Sequence, residues 1–428
     1  MSYPLVRECI APGVYFSAIT DKKFKHNRMS VNLIAKLDRQ KVTGRAVVPF
    51  ILRQGSKNCP DFTQLNKRLC DLYGASLGAG VDKFGEYQII ALGMIGVDSR
   101  FTLQGEDMVR ACAGLLAEIL LEPNITDGKF DKKNTELEKQ NLLDTIQAEI
   151  NDKRTYALIR CRDVMCQGEG CAIKKYGYKE DAEKITPESA AAAYEELIRT
   201  ARIEIMFEGC GDPSAAKEIF REKFAGMRRE PVEVSPNCAH NQQGPVKQET
   251  ERMEVKQGKL VMGFRTGTAT PDEEVPATRL MAALFGGTPN SKLFLNVREK
   301  LSLCYYCSAS YNSMKGIMLV QSGVEVKNME RAKEEILRQL DEVKQGNFDE
   351  SEVEAAKMSL CNSYRTLSDS LGGLENWYLS QTFASHSQQP EEAAAQINAV
   401  TRQEIIDAAN RVTLDTVYCL VGNGEDAQ

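Results

Sequence analysis

The sequence predicts an α+β fold made of two homologous halves, each with a mixed or antiparallel sheet and helices packed on one face. Three observations support this prediction. Segments of the first half recur in the second half, helix-like and strand-like runs do not alternate strictly, and a polar stretch rich in proline lies between the halves. Strict alternation would instead favour a doubly wound parallel sheet.

The clearest repeat joins Ile185–Gly209 to Val400–Asn423, a little over two hundred residues further on. Each segment has a threonine suited to a helix N-cap, Thr186 or Thr401, followed by an amphipathic helix and an apolar strand. Two further segments both start with Gly-x-Phe-Asp, "GKFD" and "GNFD", and continue into long helical patterns. A repeat of this length indicates a duplication and not a solenoid of short units.

The repeats set the predicted domain boundaries. The first half covers residues 1–228 and the second covers 255–428, with a linker at 229–254. The linker region contains several prolines, many polar residues and no sustained apolar period, as is typical of segments between domains.

Within the halves, the strongest patterns define individual elements. The runs "YQIIALGMIGV" and "GIMLVQSGVEV" predict strands, since β-branched and other apolar residues dominate them. The stretches 131–162 and 351–380 each predict one long helix, because apolar residues recur there with helical spacing.

Composition excludes several classes of protein. The 428 residues carry a formal net charge of −6, so no basic footprint for nucleic acid is present. No apolar run is long enough to span a bilayer, and the start of the sequence lacks the pattern of a signal peptide. We therefore expect a cytoplasmic protein with no nucleic-acid or membrane partner.

Thirteen cysteines are spread through the chain, an odd number typical of reduced thiols in a cytosolic protein. Two groups have close spacing, Cys304 with Cys307 and Cys161 with Cys166 and Cys171. Structural zinc sites usually combine two close pairs of ligands. Neither group has a second pair nearby in the sequence, so we expect no zinc at either.

The most specific motif is "NSKLFLNVREKLSLCYY" at Asn290–Tyr306, which predicts a helix carrying Arg298, a turn, and a strand carrying Tyr305. Together with the duplication, this motif resembles the pitrilysin family, which includes insulin-degrading enzyme and mitochondrial processing peptidase. The resemblance extends over nearly the whole chain and implies a duplicated LuxS/metallopeptidase-like fold. It also implies that Arg298 and Tyr305 bind substrate. An arginine and a tyrosine are suitable donors for a tetrahedral oxyanion.

Pitrilysin-family peptidases bind zinc through H-x-x-E-H in the first half, which this chain lacks, since its three histidines are far apart. Alignment by eye at the turn after "AVVPFILRQG" places the two histidine positions at Ala46 and Phe50 and the general base at Pro49. The distal acidic ligand falls near Asp144, with Glu149 as a second candidate. We therefore expect no catalytic residues, no cofactor in this chain, and no zinc peptidase activity by this chain on its own.

Some members of the family work as pairs in which one subunit lacks the zinc motif. By this resemblance, the main hypothesis is a non-catalytic subunit that supplies Arg298 and Tyr305 in trans to an H-x-x-E-H partner. Zinc is then expected only on the partner, and the substrate is a peptide or protein. The sequence leaves open whether the chain forms a heterodimer or a homodimer.

Two alternatives come from other classes. The family also includes scaffolds without proteolysis, and similar inactive members in Gram-positive bacteria are linked to modification of elongation factor P. In that case the glycine-containing stretch "GAGVDKFGEYQIIALG" could bind an extended peptide by strand addition. The other alternative is cysteine chemistry at Cys304 and Cys307, which the lack of a histidine nearby in sequence disfavours.

Overall fold

The structure, a computed structural model, describes residues 5–235, 238–241, 244–384 and 387–423. The chain folds into two units of mixed helix and sheet, which confirms the predicted α+β class. Unit 1 contains the described residues up to Gln147, together with Ile173–Ser235 and Asp369–Phe383. Unit 2 contains Ala148–Ala172 and the described parts of Pro236–Ser368 and Ala384–Gln428. Each unit therefore includes a segment from the other half of the sequence.

The strands are numbered in chain order across the described residues. They are β1 Val6–Ala11, β2 Val14–Thr20, β3 His26–Lys36, β4 Ser76–Phe84, β5 Tyr87–Val97, β6 Ile125–Thr126, β7 Lys129–Phe130, β8 Arg202–Gly209, β9 Lys247–Arg252, β10 Gly258–Arg265, β11 Cys304–Asn312, β12 Ile317–Val324 and β13 Thr413–Val421.

The α-helices are numbered in the same way. They are α1 Val42–Leu52, α2 Phe62–Asp71, α3 Met108–Leu121, α4 Lys132–Ala148, α5 Lys153–Met165, α6 Lys179–Ala182, α7 Pro187–Thr200, α8 Ser214–Phe224, α9 Val275–Ala282, α10 Met329–Lys344, α11 Glu350–Leu367, α12 Leu371–Gln381, α13 Pro390–Ala399 and α14 Arg402–Arg411. Two π-helical segments, Ala283–Gly287 and Leu293–Lys300, follow α9.

Unit 1 is built on a sheet with strand order β1-β2-β8-β3-β5-β4. Strands β2 and β8 pair in parallel and the other neighbours are antiparallel, so the sheet is mixed as predicted. The strand predicted from "YQIIALGMIGV" is confirmed as β5. Side chains on one face of the sheet, including Val31 and Ile205, form the main core with α1, α3, α7 and α8.

The opposite face of this sheet packs against α12. Ile19 and Met206 lie on that face and pack with Leu374 and Tyr378 of α12. Polar contacts accompany this packing, since Arg28 of β3 forms an ion pair with a carboxylate of α12. This face therefore combines a small apolar cluster with buried charge.

Unit 2 has the strand order β11-β12-β10-β13-β9, again mixed because β13 and β9 pair in parallel. The strand predicted from "GIMLVQSGVEV" is confirmed as β12. Ala157 and Cys161 of α5 pack on Val261 and Tyr418 of the sheet. Glu251 also accepts hydrogen bonds here, from Tyr418 at 2.8 Å and from Arg160 at 2.6 Å.

The predictions of single long helices at 131–162 and 351–380 were wrong, because each run divides into two helices. The first divides between α4 and α5, where the Asp152 side chain accepts from the backbone N–H groups of Arg154 and Thr155. The second divides between α11 and α12, where Ser370 accepts from the N–H of Gly373. Short polar side chains bind backbone N–H groups outside a helix and so favour a new helix start. In each case the second helix belongs to the other unit.

The predicted N-caps of the repeat are confirmed. Thr186 accepts from the N–H of Ser189 at 3.2 Å, and Thr401 accepts from the N–H of Glu404 at 3.3 Å. Both form capping boxes, in which the side chain three residues on accepts a hydrogen bond from the backbone N–H of the cap residue. Each cap of this kind typically contributes about 1 kcal/mol.

Among the described residues, no helix is both long and apolar enough to cross a membrane. The cytoplasmic location stays a prediction from the sequence.

Candidate functional site

The candidate site is built from the π-helical segment Leu293–Lys300 and strand β11, which follows it after a short turn. Leu293 and Val297 are buried and fix the segment against unit 2. The turn ends with the N–H of Leu303 donating to the carbonyl of Val297 at 3.1 Å, and Ser302 has a positive φ of 48°. Helix and strand therefore occur where the sequence predicts them, but the helix is π-helical, a form frequent at functional sites.

Strand β11 contains a β-bulge at Tyr305. Cys304 pairs with Val324 of β12 and Tyr306 pairs with the next residue back, Gly323, which leaves Tyr305 without a partner across the ladder. An extra residue of this kind bends the strand and redirects a side chain. The result is that 68% of Tyr305 is exposed, so its phenol is available to a ligand.

Arg298 lies in the last turn of the helical segment and is 39% exposed. Its guanidinium is 4.5 Å from the centre of the Phe294 ring, and its Nε is 3.5 Å from a carboxylate oxygen of Glu299. Both contacts lie at the surface, where ion pairs and cation–π contacts are weak. Neither contact therefore holds the guanidinium tightly. The guanidinium keeps donors free to bind a carbonyl or carboxylate.

Cys304 and Cys307 both point into the unit, because the bulge between them shifts the alternation of side chains. A hydrogen bond from Cys307 and the nearby charge of Arg298 lower the pKa of Cys304, while burial acts in the opposite direction. The turn at Ser302 and the hydrogen bond from the N–H of Leu303 to the carbonyl of Val297 keep the helix end and the bulge close together. Cysteine chemistry at this pair stays an alternative that the lack of a histidine nearby in sequence disfavours.

The predicted positions of the lost zinc motif lie on α1. Ala46 and Pro49 are buried, and Phe50 is partly buried and packs on the main core of unit 1. None of these side chains has an atom that can bind zinc or move a proton. The structure thus places hydrophobic core where the resemblance implies a metal centre.

The predicted distal acid, Asp144, lies on the exposed side of α4. One of its oxygens accepts from the side chain of Gln140 on the same helix at 2.8 Å. The second candidate, Glu149, follows the end of that helix and is half-buried. The structure does not bring either acid into a described contact with α1.

Sequence reasoning missed Glu138, the buried carboxylate of α4. It accepts hydrogen bonds from Asn141 at 3.0 Å and from Gln54, which follows α1 in the chain. Thr135, Glu138 and Leu142 are all buried and follow the spacing of one helix face. That spacing is the signal in the sequence that could have identified Glu138.

Known proteins similar to this chain are also described as inactive members of a peptidase family. Residues 184–360 match the family model described as "Peptidase M16 inactive domain". The chain is 31% identical over 410 residues to the probable inactive metalloprotease YmfF of Bacillus subtilis, with 96% of each chain covered. The chain belongs to the peptidase M16 family. The predicted membership of the pitrilysin family, another name for M16, is confirmed, and this chain is an inactive, metalloprotease-like member.

Solved structures show the same duplicated M16 fold. A conserved protein from Enterococcus faecalis is 30% identical and superposes with a TM-score of 0.91, covering 98% of this chain and 99% of that one. The peptidase M16 inactive domain from Pseudomonas fluorescens is 14% identical, with a TM-score of 0.76 and 98% of each chain covered. The second likeness concerns the fold.

A second feature of this M16 chain is the strand β4, which stands at the end of the unit 1 sheet. Among the described residues, no strand pairs with its outer side, so its backbone groups there can accept a further strand. A methyl group added at Gly80 would meet no described atom within 4 Å. Gly85, by contrast, lies in the turn after β4 with a positive φ of 55°, a backbone conformation that favours glycine over other residues.

The third feature is buried charge on the α12 face of unit 1. Glu208 of β8 is buried, and neither of its carboxylate oxygens has a hydrogen-bond partner among the described residues. Burial and the nearby carboxylate of Glu375 raise its pKa well above the usual value, although Arg28 opposes them. Arg28 forms its ion pair with Glu375, so Glu208 is the carboxyl group that burial keeps protonated.

Proposed function

We propose that this M16 chain is the non-catalytic subunit of a zinc peptidase pair. In this proposal, Arg298 and Tyr305 bind the substrate at the active site of an H-x-x-E-H partner. The observation that carries the proposal is the bulge that exposes Tyr305 beside the end of the Arg298 helix. Both side chains are exposed, and the contacts of Arg298 with Phe294 and Glu299 lie at the surface, so neither side chain is part of the described core.

The chemistry fits acyl transfer. A carbonyl attacked by zinc-bound water develops negative charge on its oxygen, and fixed donors at that oxygen lower the barrier. A guanidinium and a phenol supply such donors without needing to change their own protonation. Removing one donor of this type typically lowers kcat by about 10²–10³-fold.

The absence of the zinc motif from α1 also supports a pair in which this chain binds substrate and the partner holds the zinc. With Ala46 and Pro49 in the core, this chain offers no zinc or general base at that position, so water activation falls to the partner. A homodimer would contain two such positions and no zinc motif. The proposal therefore favours a heterodimer with an M16 homologue that retains H-x-x-E-H.

The experiment starts with purification from native cells and identification of the proteins that co-purify. The pair is then reconstituted, and cleavage of a library of quenched fluorescent peptides is measured for Arg298→Ala and Tyr305→Phe. Matched controls are Arg338→Ala and Tyr73→Phe, which alter an exposed arginine on α10 and an exposed tyrosine of unit 1. We expect a large fall in kcat for the first two variants and none for the controls. Unchanged activity in both test variants would disprove the role in trans.

A second candidate function is a peptide- or protein-binding scaffold without proteolysis. The open edge of β4 favours it, because main-chain hydrogen bonds to an edge strand bind extended peptides without any catalytic group. Peptide binding by this chain with no turnover in any pairing would select this function. The link to elongation factor P implied by the resemblance makes that factor the first protein ligand to test.

A further inference from the structure

We propose that Cys166, Glu169 and Cys171 hold a zinc-class divalent ion in unit 2, with His240 as the fourth ligand. This site is separate from the lost zinc motif on α1 and from the Arg298–Tyr305 site, and it does not depend on the proposed function. In the sequence the cysteines lack a second ligand pair, but the fold brings His240 close to Glu169.

The first three ligands lie on one short turn. Cys166 ends α5, the N–H of Glu169 donates to the carbonyl of Cys166 at 2.8 Å, and a 3₁₀ turn at Gly170–Ala172 carries Cys171. The turn brings their ligand atoms together, all within 4.8 Å of one another. Ligand atoms around tetrahedral zinc are about 3.3–3.8 Å apart, given bonds of about 2.0–2.3 Å. The 3.6 Å between the Cys171 sulfur and a Glu169 oxygen already falls in this range.

His240 lies within the predicted linker at 229–254, in the part of it that belongs to unit 2. Its Nε2 is 3.8 Å from the Oε2 of Glu169, the same oxygen that contacts Cys171. The preceding Ala239 packs closely on Gly316, where an added Cβ would lie 2.7 Å from the alanine methyl. This packing places the segment next to the site. The imidazole is exposed, and its Nε2 also lies 3.8 Å from the sulfur of Cys238.

Charge balance supports a divalent ion. Arg265 contacts Glu169 at 2.7 Å and Asp415 at 3.1 Å, and the buried Lys315 contacts Glu169 at 3.2 Å. These two cations and two carboxylates already cancel. Binding of one divalent ion displaces the protons of two thiols, so the buried cluster has the same net charge before and after loading. An ion bound by carboxylates without thiolates would leave this cluster with uncompensated positive charge, which burial disfavours.

The ligand set also selects the kind of metal. Two thiolates with imidazole and carboxylate favour zinc over magnesium or calcium, which prefer oxygen ligands. Cys166 and Cys171 are almost fully buried, so the sulfur side of the site is shielded from water. A site with four protein ligands has the closed form typical of structural zinc.

The test uses the full-length chain, purified with reductant and stripped with a chelator. Zinc uptake is measured with a competing chromophoric chelator, and cobalt is added as a spectroscopic probe of thiolate ligands. We expect about one zinc ion per chain and an intense thiolate-to-cobalt charge-transfer band. Cys166→Ser and Cys171→Ser should each remove most of that band. His240→Ala removes a direct ligand and should therefore weaken zinc binding by at least about 10–100-fold, the loss typical when only an outer partner of a ligand is removed.

The controls are Cys361→Ser, which alters a buried thiol elsewhere in unit 2, and His26→Ala, which alters an exposed histidine of unit 1. Both should bind zinc as the native chain does. His240 is exposed, so its variant remains informative even if a buried serine variant fails to fold. Absence of the cobalt band in the reduced native chain would overturn the proposal, as would zinc binding that His240→Ala and both serine variants leave unchanged.

Discussion

Tyr305 and Tyr306 are neighbours in the chain but have opposite environments. Tyr306 pairs with Gly323 and lies against it, whereas Tyr305 has no partner on β12 and is 68% exposed. The guanidinium of Arg154 is 4.2 Å from the centre of the Tyr306 ring, which holds that ring on the unit. The half-buried Tyr306 therefore anchors the bulge that exposes Tyr305.

This anchor depends on the missing side chain at Gly323. An added Cβ there would lie 2.4 Å from the Tyr306 ring, so Gly323→Ala has to displace the ring. We expect a loss of about 1–3 kcal/mol in the free energy of unfolding, the usual effect of overpacking. Urea unfolding measures this loss. The control is Gly114→Ala on α3, where an added Cβ meets no described atom within 4 Å, and which should not destabilise. Equal stability of the two variants would show that Tyr306 is not held against Gly323.

A histidine placed at position 46 of α1 should destabilise the fold. Ala46 is fully buried in the main core, so the imidazole of Ala46→His has no space and no hydrogen-bond partner. We expect destabilisation by about 1–3 kcal/mol or more, measured by chemical unfolding. Gly44→Ala on the same helix is the control, since its added Cβ makes ordinary contact at 3.8 Å with Ala193. Two results would contradict this prediction: native stability of Ala46→His, and zinc binding by the double variant Ala46→His/Phe50→His. Together they would show that α1 has room for a metal.

Glu208 should make the stability of unit 1 depend on pH. Burial raises its pKa in the folded state, so above about pH 4.5 the folded chain holds a proton that the unfolded chain has lost. Stability then falls as pH rises toward the folded pKa, by at most about 1.4 kcal/mol per pH unit. Glu208→Gln cannot titrate and should remove this decline.

The measurement is urea unfolding of the native chain and the variant across pH 5–8. Glu136→Gln is the control, because Glu136 is an exposed acid of α4 paired with Lys139 at the surface. The prediction fails if the free energies of native chain and Glu208→Gln run parallel with pH. Arg28 and Glu375 are unchanged in both variants, so their ion pair contributes equally to the free energies of unfolding that are compared.

Gly80 tests the edge of β4 as a peptide-binding strand. Gly80→Val should fold, because the position has open space and valine favours strands over glycine by about 0.5–1 kcal/mol. A bulky branched side chain at this position should hinder an added strand, so we expect weaker binding of extended peptides with equal or greater stability. Fluorescence anisotropy with labelled peptides measures the binding, and Gly114→Ala is the control. Unchanged affinity would place peptide binding away from β4.

The sequence predicted the features that depend on local patterns. The repeat located the caps at Thr186 and Thr401, and the motif located Arg298 on a helix and Tyr305 on a strand. The bulge was not predictable, because it depends on the pairing of β11 with a strand further along the chain.

Features that depend on contacts between distant residues were also not predictable from local sequence patterns. Asp152 and Ser370 mark the starts of α5 and α12 locally, but the packing of each helix in the other unit depends on contacts that are distant in sequence. The approach of His240 to Glu169 joins residues about seventy positions apart, so ligand spacing in the sequence cannot reveal it. Buried Glu138 follows a helix stripe, but acidic residues are assigned to the surface by default.

The exchange of α5 and α12 between the units has a consequence for dissection of the chain. A fragment cut between the two halves of the sequence would contain one sheet without the helix that covers part of it, because Ala148–Ala172 belong to unit 2 and Asp369–Phe383 belong to unit 1. Each fragment would expose an apolar patch and carry an unattached helix whose binding surface is on the other fragment. Such halves should associate when co-expressed and behave poorly when expressed separately, which makes this chain a natural candidate for split-protein complementation.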